Sequence, residues 1–562
     1  MPTISVEQNL LNQIMEKHGF VHDIEIISDQ LPLLGTDIDL CNETVLDIEI
    51  FPNRPDLLSG ETLARAIRNF IHHEIAKPTM EVSKGDISMT VSPELSDIRP
   101  IILGAVVRGV KLGNADEIDS FIKSLMDHQE KLHFALGRGR KRASIGVHDL
   151  NSIQPPFHVK AVSGDTEFIP LAMDKPMTIN EILEKHPKGT EYAHLLEGFE
   201  LFPVIVDSND SILSFPPIIN GSHTTVGDKT RDFFIDVTGW DLRSCESSLM
   251  LIASQLAERG GTVESVEVTN HKGETEIYPN GNAVSHNLPI GLLNGLLGRT
   301  LTDDEISFAI NRMGGKFVSR SETQITLEMP RWRFDILHPV DLVEEIAIGH
   351  GYEDLGADVP KAPMTAIARS DGNLRRRIRD SMQGLGLMQI QSLTLSNDDD
   401  QFNFMRFKPV GEVTRITNPI SIDHTLLRQY LTPGLLRLLT SNQHHNLPQS
   451  IYELGTVVRD HENSDRVAFL VAERSGGFAA VRGRVQAFMR DLGSTDYVIE
   501  KLPDGEGPWL AGRSAKVIAS GIHVGCFGEI DPHIAECFDL KVPISGAEFS
   551  LTNLETAISD PV

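Results

Sequence analysis

Four carboxylates fall within eleven residues in "PRWRFDILHPVDLVEEIAIGHGYEDL": Asp335, Asp341, Glu344 and Glu345. A helix starting near Pro339 would carry Asp341, Glu344 and Glu345 at i, i+3 and i+4, on one face. Asp335 precedes them on an extended segment that could fold back to the same place. Hard oxygen donors of this kind suit Mg2+, which keeps several of its waters. Acids in a first helical turn also complement the helix dipole with no metal present, so the spacing leaves both readings open.

A second constellation lies in "SFPPIINGSHTTVGDKTRDFFIDVTG", residues 214 to 239. Ser214 precedes a Pro-Pro corner, Asn220 follows it, and Asp236 and Thr238 stand one strand step apart, which puts them on one face. They could line a pocket or decorate a polar strand edge. No Gly-x-Ser-x-Gly elbow occurs, and His223 is too weakly placed to nominate a triad. No Gly-rich phosphate loop is present. In "GRGRKR", Arg138, Arg140, Lys141 and Arg142 look better suited to RNA phosphates. In "LRRRIRD", Leu374, Ile378, Met382 and Leu385 make an apolar helix face, and the arginines read as its solvated side.

The elements that must position these groups follow from periodicity. In "DIEIFPNRPDLLSGETLARAI", Asp47 and Glu49 alternate with Ile48 and Ile50, which predicts a strand. A rigid Pro corner follows, where Arg54 can pair with Asp56 or Asp47. Leu63, Ile67 and Phe70 then fall at helical spacing behind a Ser59 cap. Strand-like runs alternate with helices over 117–135 and 243–259, the latter stopped by glycines in "ERGGTV". Thr302 and Glu305 fit a capping box. A helix from about Pro433 should bury Leu435, Leu436 and Leu439. "SIYELGTVV" and "RSAKVIASGIHVGCFGEIDP" read as strands of an antiparallel sheet in which few polar residues converge, so this last unit proposes no reaction.

At 562 residues the chain should form roughly three to five domains. We divide it into an N-terminal α/β module over 1–95, a unit over 100–272, a small helical and stranded unit over 276–352 and a final α/β unit over 365–562, entered through "DVPKAPMT". The fold class is α+β multidomain. A net charge of −28 argues against nonspecific coating of nucleic acid but leaves local patches free to bind. Four scattered cysteines suit a reducing cytosol. Neither an export signal nor a run long enough for a membrane span appears, so a cytoplasmic protein with no membrane partner is expected.

Together these stretches resemble the beta subunit of phenylalanine–tRNA ligase in its shorter archaeal and eukaryotic form. "NRPDLLSGETLAR" is similar to the family's first module. "GRGRKRASIGVHDL", "PPFHV", "FPVIVDS", "LSFPPIIN" and "DVTG" are similar to its editing domain. "PRWRFDILHPVDLVEEIAIGHGY" resembles the close of its third domain. "NPIS", "PGLLRLLTSN", "YELG" and "GEIDP" resemble its class II synthetase-like domain. The segment Trp509-Leu510-Ala511-Gly512-Arg513 departs from the family, which usually has a His-Pro pair before the Gly-Arg, and its role is left open.

The resemblance implies four domains: the N-terminal module, an editing domain, a small winged-helix-like domain, and a non-catalytic class II synthetase-like domain built on an antiparallel sheet. It implies Mg2+ ligands at Asp335, Asp341, Glu344 and Glu345, an editing pocket at Ser214, Asp236 and Thr238, and tRNA contacts among Arg138, Arg140, Lys141 and Arg142. It also implies an alpha-subunit partner in a two-alpha, two-beta tetramer that binds tRNA(Phe). ATP and L-phenylalanine would then bind at the alpha-subunit site, and no residue of this chain is catalytic for aminoacylation. The implied function is ATP-dependent attachment of phenylalanine together with hydrolysis of mischarged Tyr-tRNA(Phe). The alternative is a structural, tRNA-binding subunit with an inactive editing site.

Overall fold

The structure is a computed structural model that describes residues 2–113, 115–356, 366–367 and 369–558. The proline-bearing linker expected at 358–365 lies outside the described residues. The chain divides into two compact units, Met1–Pro360 and Lys361–Val562, and the fold is mixed α/β.

In the first unit, strands Thr3–Glu7, Val45–Ile50 and Thr36–Cys41 form an antiparallel sheet in that spatial order. Leu46, Ile48 and Ile50 are fully buried while Asp47 and Glu49 turn outward, as strict alternation requires. The Pro corner is scaffold. Arg54 Nε and Nη2 donate to Asp56 Oδ1 and Oδ2 at 2.8 and 2.9 Å, and Ser59 caps the helix Gly60–Phe70 through the Thr62 N–H. Burial opposes the Asp56 charge, but Arg54 outweighs it and holds the carboxyl down at about 2.

A ten-stranded sheet dominates this unit. At its heart, Phe233–Gly239 runs antiparallel between Ile101–Arg108 and Ala143–Asp149. All seven of its residues are buried, because helices such as Leu242–Glu258 and neighbouring strands cover it. The strand Val82–Val91 belongs to this sheet and pairs in parallel with Thr262–Thr269, although its sequence lies within the span read as the N-terminal module. A smaller antiparallel sheet, Val284–Pro289, Gln324–Met329 and Lys316–Arg320, packs with helices Ile290–Leu297, Asp303–Arg312 and Pro339–His350 around Leu288, Ile310, Leu327 and Ile346. Thr302 and Glu305 form the expected capping box.

The second unit holds a seven-stranded sheet in the order Met388–Gln389, Gln449–Arg459, Glu462–Ala472, Ile544–Ser550, Ile522–Ile530, Trp509–Ala519, Tyr497–Lys501. Alternation splits its core. Val467, Phe469 and Val471 pack with Ile378, Met382, Val485 and Phe488 on one face. Ala468 and Leu470 pack with Leu435, Leu436 and Leu439 on the other. The final strand-to-helix connection, Ile544–Ser550 into Leu551–Ala557, carries no arginine.

Candidate functional site

A cavity of about 200 Å3 opens beside the central strand of the large sheet, lined by Ser214, Asn220, Ser144, Gly146, Thr224 and Asp236 among others. Sheet register sets its polar wall. Asp236 lies opposite Gly146, and His148, two residues on, projects from the same face of its strand. His148 Nε2 meets Asp236 Oδ1 at 2.7 Å, and Nδ1 meets Thr224 Oγ1 at 2.8 Å. All three side chains are buried. A Cβ at Gly146 would collide with Asp236 Oδ1 and crowd His148 Nε2, so this position must be glycine for the contact to form. The Thr224 hydroxyl also lies 3.0 Å from the Gly221 carbonyl, and its single proton can satisfy only one of the two neighbours. If it goes to His148, the ring N–H sits on Nε2; if it goes to Gly221, both ring nitrogens carry hydrogen. With Asp236 as carboxylate, Nε2 donates to it either way.

Ser214 joins the opposite wall, its hydroxyl 3.2 Å from Asn220 Oδ1. Thr238 corrects the expected trio, because it does not line the cavity. Its hydroxyl accepts from Arg99 Nε at 2.7 Å and lies 3.0 Å from Ser144 Oγ, one layer behind the wall. Burial lowers Arg99 to about 10, and its guanidinium also donates to the carbonyls of Thr238 and Arg140. Arg140 is likewise corrected as a phosphate contact. It is buried, donating to the carbonyls of Pro217 and Ile218 and to Glu130 at 2.7 Å, with Tyr192 against its guanidinium. It builds the cavity rim and leaves Arg138, Lys141 and Arg142 as the exposed cations of the loop. His133, 3.5 Å away, and Arg140 together hold the Glu130 carboxyl down at about 2.

The helix Pro339–His350 begins where Pro339 predicts, but its acids do not act as one group. Arg333 lies between Asp335 and Glu345, with Nη2 at 2.7 and 2.6 Å from them. Burial opposes its charge, yet the two carboxylates outweigh burial and raise its pKa well above the ordinary range. Asp341 accepts the backbone N–H groups of Leu337 and His338, both at 2.7 Å, and so caps the helix. Among the described residues no group of three or more His, Cys, Asp or Glu is disposed to hold a metal. The expectation of a four-carboxylate ligand cluster is corrected to this extent: within the chain, a cation and a cap already engage three of its members. Glu344 is exposed and has no hydrogen-bond or ion-pair partner among the described residues, and burial followed by the charges of Glu345, Asp341 and Asp335 raises its pKa. A cation beside it would relieve that repulsion, so the hard-oxygen donors fit Mg2+ chemically.

Residues 110–270, 286–352 and 355–551 match families described as the B3/4 domain, the tRNA synthetase B5 domain and the phenylalanyl tRNA synthetase beta chain CLM domain. A phenylalanine–tRNA ligase beta subunit of Methanococcoides burtonii is 38% identical over 553 residues, which cover 98% of this chain and 100% of the relative. The chain belongs to the phenylalanine–tRNA ligase beta-subunit family. A beta subunit of Methanosarcina acetivorans is 40% identical over 532 residues, covering 95% of this chain and 96% of the relative. An N-terminal fragment of the phenylalanyl-tRNA synthetase beta subunit from Pyrococcus horikoshii, solved by crystallography, is 33% identical with a TM-score of 0.58, covering 62% of this chain and all of that one. Within this beta-subunit frame, the sequence reading missed His148, Thr224 and Arg99. "GVHDL" held a signal for the first of these, a histidine on the same strand face as Gly146, but nothing local said that Asp236 lies across from it.

Proposed function

We propose that this chain serves as the beta subunit of a cytoplasmic phenylalanine–tRNA ligase, paired with an alpha subunit in a two-alpha, two-beta tetramer. In it, the alpha chain attaches L-phenylalanine to tRNA(Phe) and this chain hydrolyses Tyr-tRNA(Phe). The observation that carries the editing reading is the buried cavity walled by Asp236 and Ser214, with Asp236 fixed by His148.

Tyrosine differs from phenylalanine by one hydroxyl, and an apolar synthetic pocket rejects such an addition only about 10²-fold. A second cavity whose buried groups read that hydroxyl can remove the error. Asp236 accepts the tyrosyl hydroxyl. Phenylalanine in the same cavity would leave the carboxylate with His148 as its only side-chain partner and forgo that added hydrogen bond, a difference of about 1–3 kcal/mol. The Thr224 hydroxyl is held between His148 Nδ1 and the Gly221 carbonyl, so the Thr224–His148–Asp236 line orients the carboxylate rather than supplying a nucleophile, and water attacks the ester. Arg138, Lys141 and Arg142, exposed on the loop that carries Arg140, would meet tRNA phosphates.

The domain reading extends this division: 1–95 as scaffold, 100–272 as the editing domain, 276–352 as a winged-helix-like domain and 365–562 as a class II synthetase-like domain without aminoacylation chemistry. The missing arginine in the last strand-to-helix connection supports the last of these. Of the four acids, Glu344 would meet Mg2+ directly, and the ion when bound would supply positive charge beside Asp335 and Glu345, which Arg333 engages, and Asp341, which caps the helix. Phenylalanine charging by the purified chain, with and without its alpha partner, tests the assignment. Charging should appear only with the partner, and robust charging by this chain alone would overturn the reading.

A further inference from the structure

We propose that the pocket on the sheet of the second unit is a binding site for a small flat organic anion, a carboxylate or phosphate carried beside an aromatic ring. Few polar residues were expected to converge in this unit, yet the sheet gathers several. Arg459 ends one strand of a hairpin and Arg466 lies on the next, at the mouth of a pocket of about 430 Å3. That is ample for one such molecule.

The cations are unequally partnered. Glu548 accepts from Arg466 Nε, from the Leu431 and Thr432 N–H groups and from the Thr432 hydroxyl, so its oxygens are engaged. Arg459 donates only its Nε, to the Gln429 carbonyl at 3.1 Å. Both of its terminal nitrogens lack a protein acceptor among the described residues. Its guanidinium lies 4.6 Å from the Tyr430 ring centre and that of Arg466 lies 5.9 Å from it. Burial and the Arg466 charge lower the Arg459 pKa, as expected for two cations facing one another over a single engaged carboxylate. An anion between them would accept the free N–H groups bidentately and remove the repulsion.

Part of the wall is aromatic and flat, beside the polar side chains of His523, Ser550 and Asn553. Phe407 stacks on Tyr430 at 3.9 Å and 11°, and Trp509, from the segment that departs from the family pattern, lines the same pocket. Such walls favour a ring on the ligand. The remaining lining carboxylate, Glu506, is exposed at the rim and has no ion-pair partner among the described residues, so it opposes the entry of anions.

Calorimetric titration of the full chain with adenosine monophosphate and with benzoate tests the site, using adenosine and inorganic phosphate as half-ligand controls. At least one flat anion should bind in the millimolar range or tighter, and more tightly than either control. Arg459→Met should weaken it about tenfold or more, the loss of a charged hydrogen-bonding group. Glu506→Gln, an exposed change that spares folding, should strengthen it. No binding of either flat anion, equal binding of adenosine, or an affinity unmoved by both substitutions would overturn the proposal. Binding of one flat anion and not the other identifies which source of the shared chemistry the pocket takes.

Discussion

Replacing His148 probes the proposed editing cavity without touching Asp236, the group proposed to read the substrate. Its imidazole is fully buried and joins Asp236 at 2.7 Å to Thr224 at 2.8 Å. A hydrogen bond to a charged group contributes about 1.5–3 kcal/mol, and a buried carboxylate left without a partner costs more. If that energy holds Asp236 in the orientation that accepts the tyrosyl hydroxyl, its loss corresponds to roughly 10- to 150-fold in rate. His148→Ala in the assembled enzyme should therefore slow Tyr-tRNA(Phe) deacylation by about that factor. His148→Gln can still offer an N–H near Nε2 and should recover part of the rate. Phenylalanine charging, carried out at another site, serves as the internal control, and thermal unfolding of both variants checks that the cavity persists. Equal loss in the Ala and Gln variants would assign His148 to packing alone. Deacylation at the parental rate in both would refute the positioning role.

Asp236→Ala should slow Tyr-tRNA deacylation at least as much as His148→Ala, and the double variant should add little, since both act on one carboxylate; full additivity in the double-mutant cycle would contradict this. Glu344→Gln should weaken the response of charging or assembly to Mg2+ while leaving metal-free stability unchanged, because Glu344 has no hydrogen-bond or ion-pair partner among the described residues to lose; an unaltered Mg2+ titration rejects the metal reading there. His128 is fully buried, and burial lowers it to about 4 despite its hydrogen bond to Gln255. The unfolded chain takes up that proton near the ordinary histidine value of 6.5 and the folded chain resists it, so stability falls as pH drops through this window, by up to roughly 3 kcal/mol. Denaturant unfolding at neutral and mildly acidic pH should show the loss, and His128→Gln should flatten it.

Much of the scaffold is legible in the sequence because its determinants are local. The Ser59 cap, the Thr302–Glu305 box, the Arg54–Asp56 pair and the alternation around Ile48 each lie within a few residues. The site is less legible because its contacts are not local. His148 and Asp236 are 88 residues apart, and Thr238 meets an arginine 139 residues away. Strand register decides the first contact, Arg99 reaches Thr238 from the connection just before Ile101–Arg108, and periodicity does not specify which strands are neighbours. The same limit hid the parallel pairing of Val82–Val91 with Thr262–Thr269. The acidic helix differs, since Arg333 stands two residues before Asp335 and twelve before Glu345. That cation was in plain sight, and counting it beside the carboxylates would have shown that they begin partly neutralised.

The central claim, a phenylalanine–tRNA ligase beta subunit that carries its own working editing cavity, is tested most directly by the rate at which the assembled parent enzyme hydrolyses Tyr-tRNA(Phe) compared with Phe-tRNA(Phe). A tyrosyl hydroxyl that adds a hydrogen bond to the buried Asp236 carboxylate, which phenylalanine leaves to His148 alone, predicts faster hydrolysis of the tyrosyl ester by about one to two orders of magnitude. Hydrolysis of both esters at the same rate, or of neither above the spontaneous rate, would contradict it.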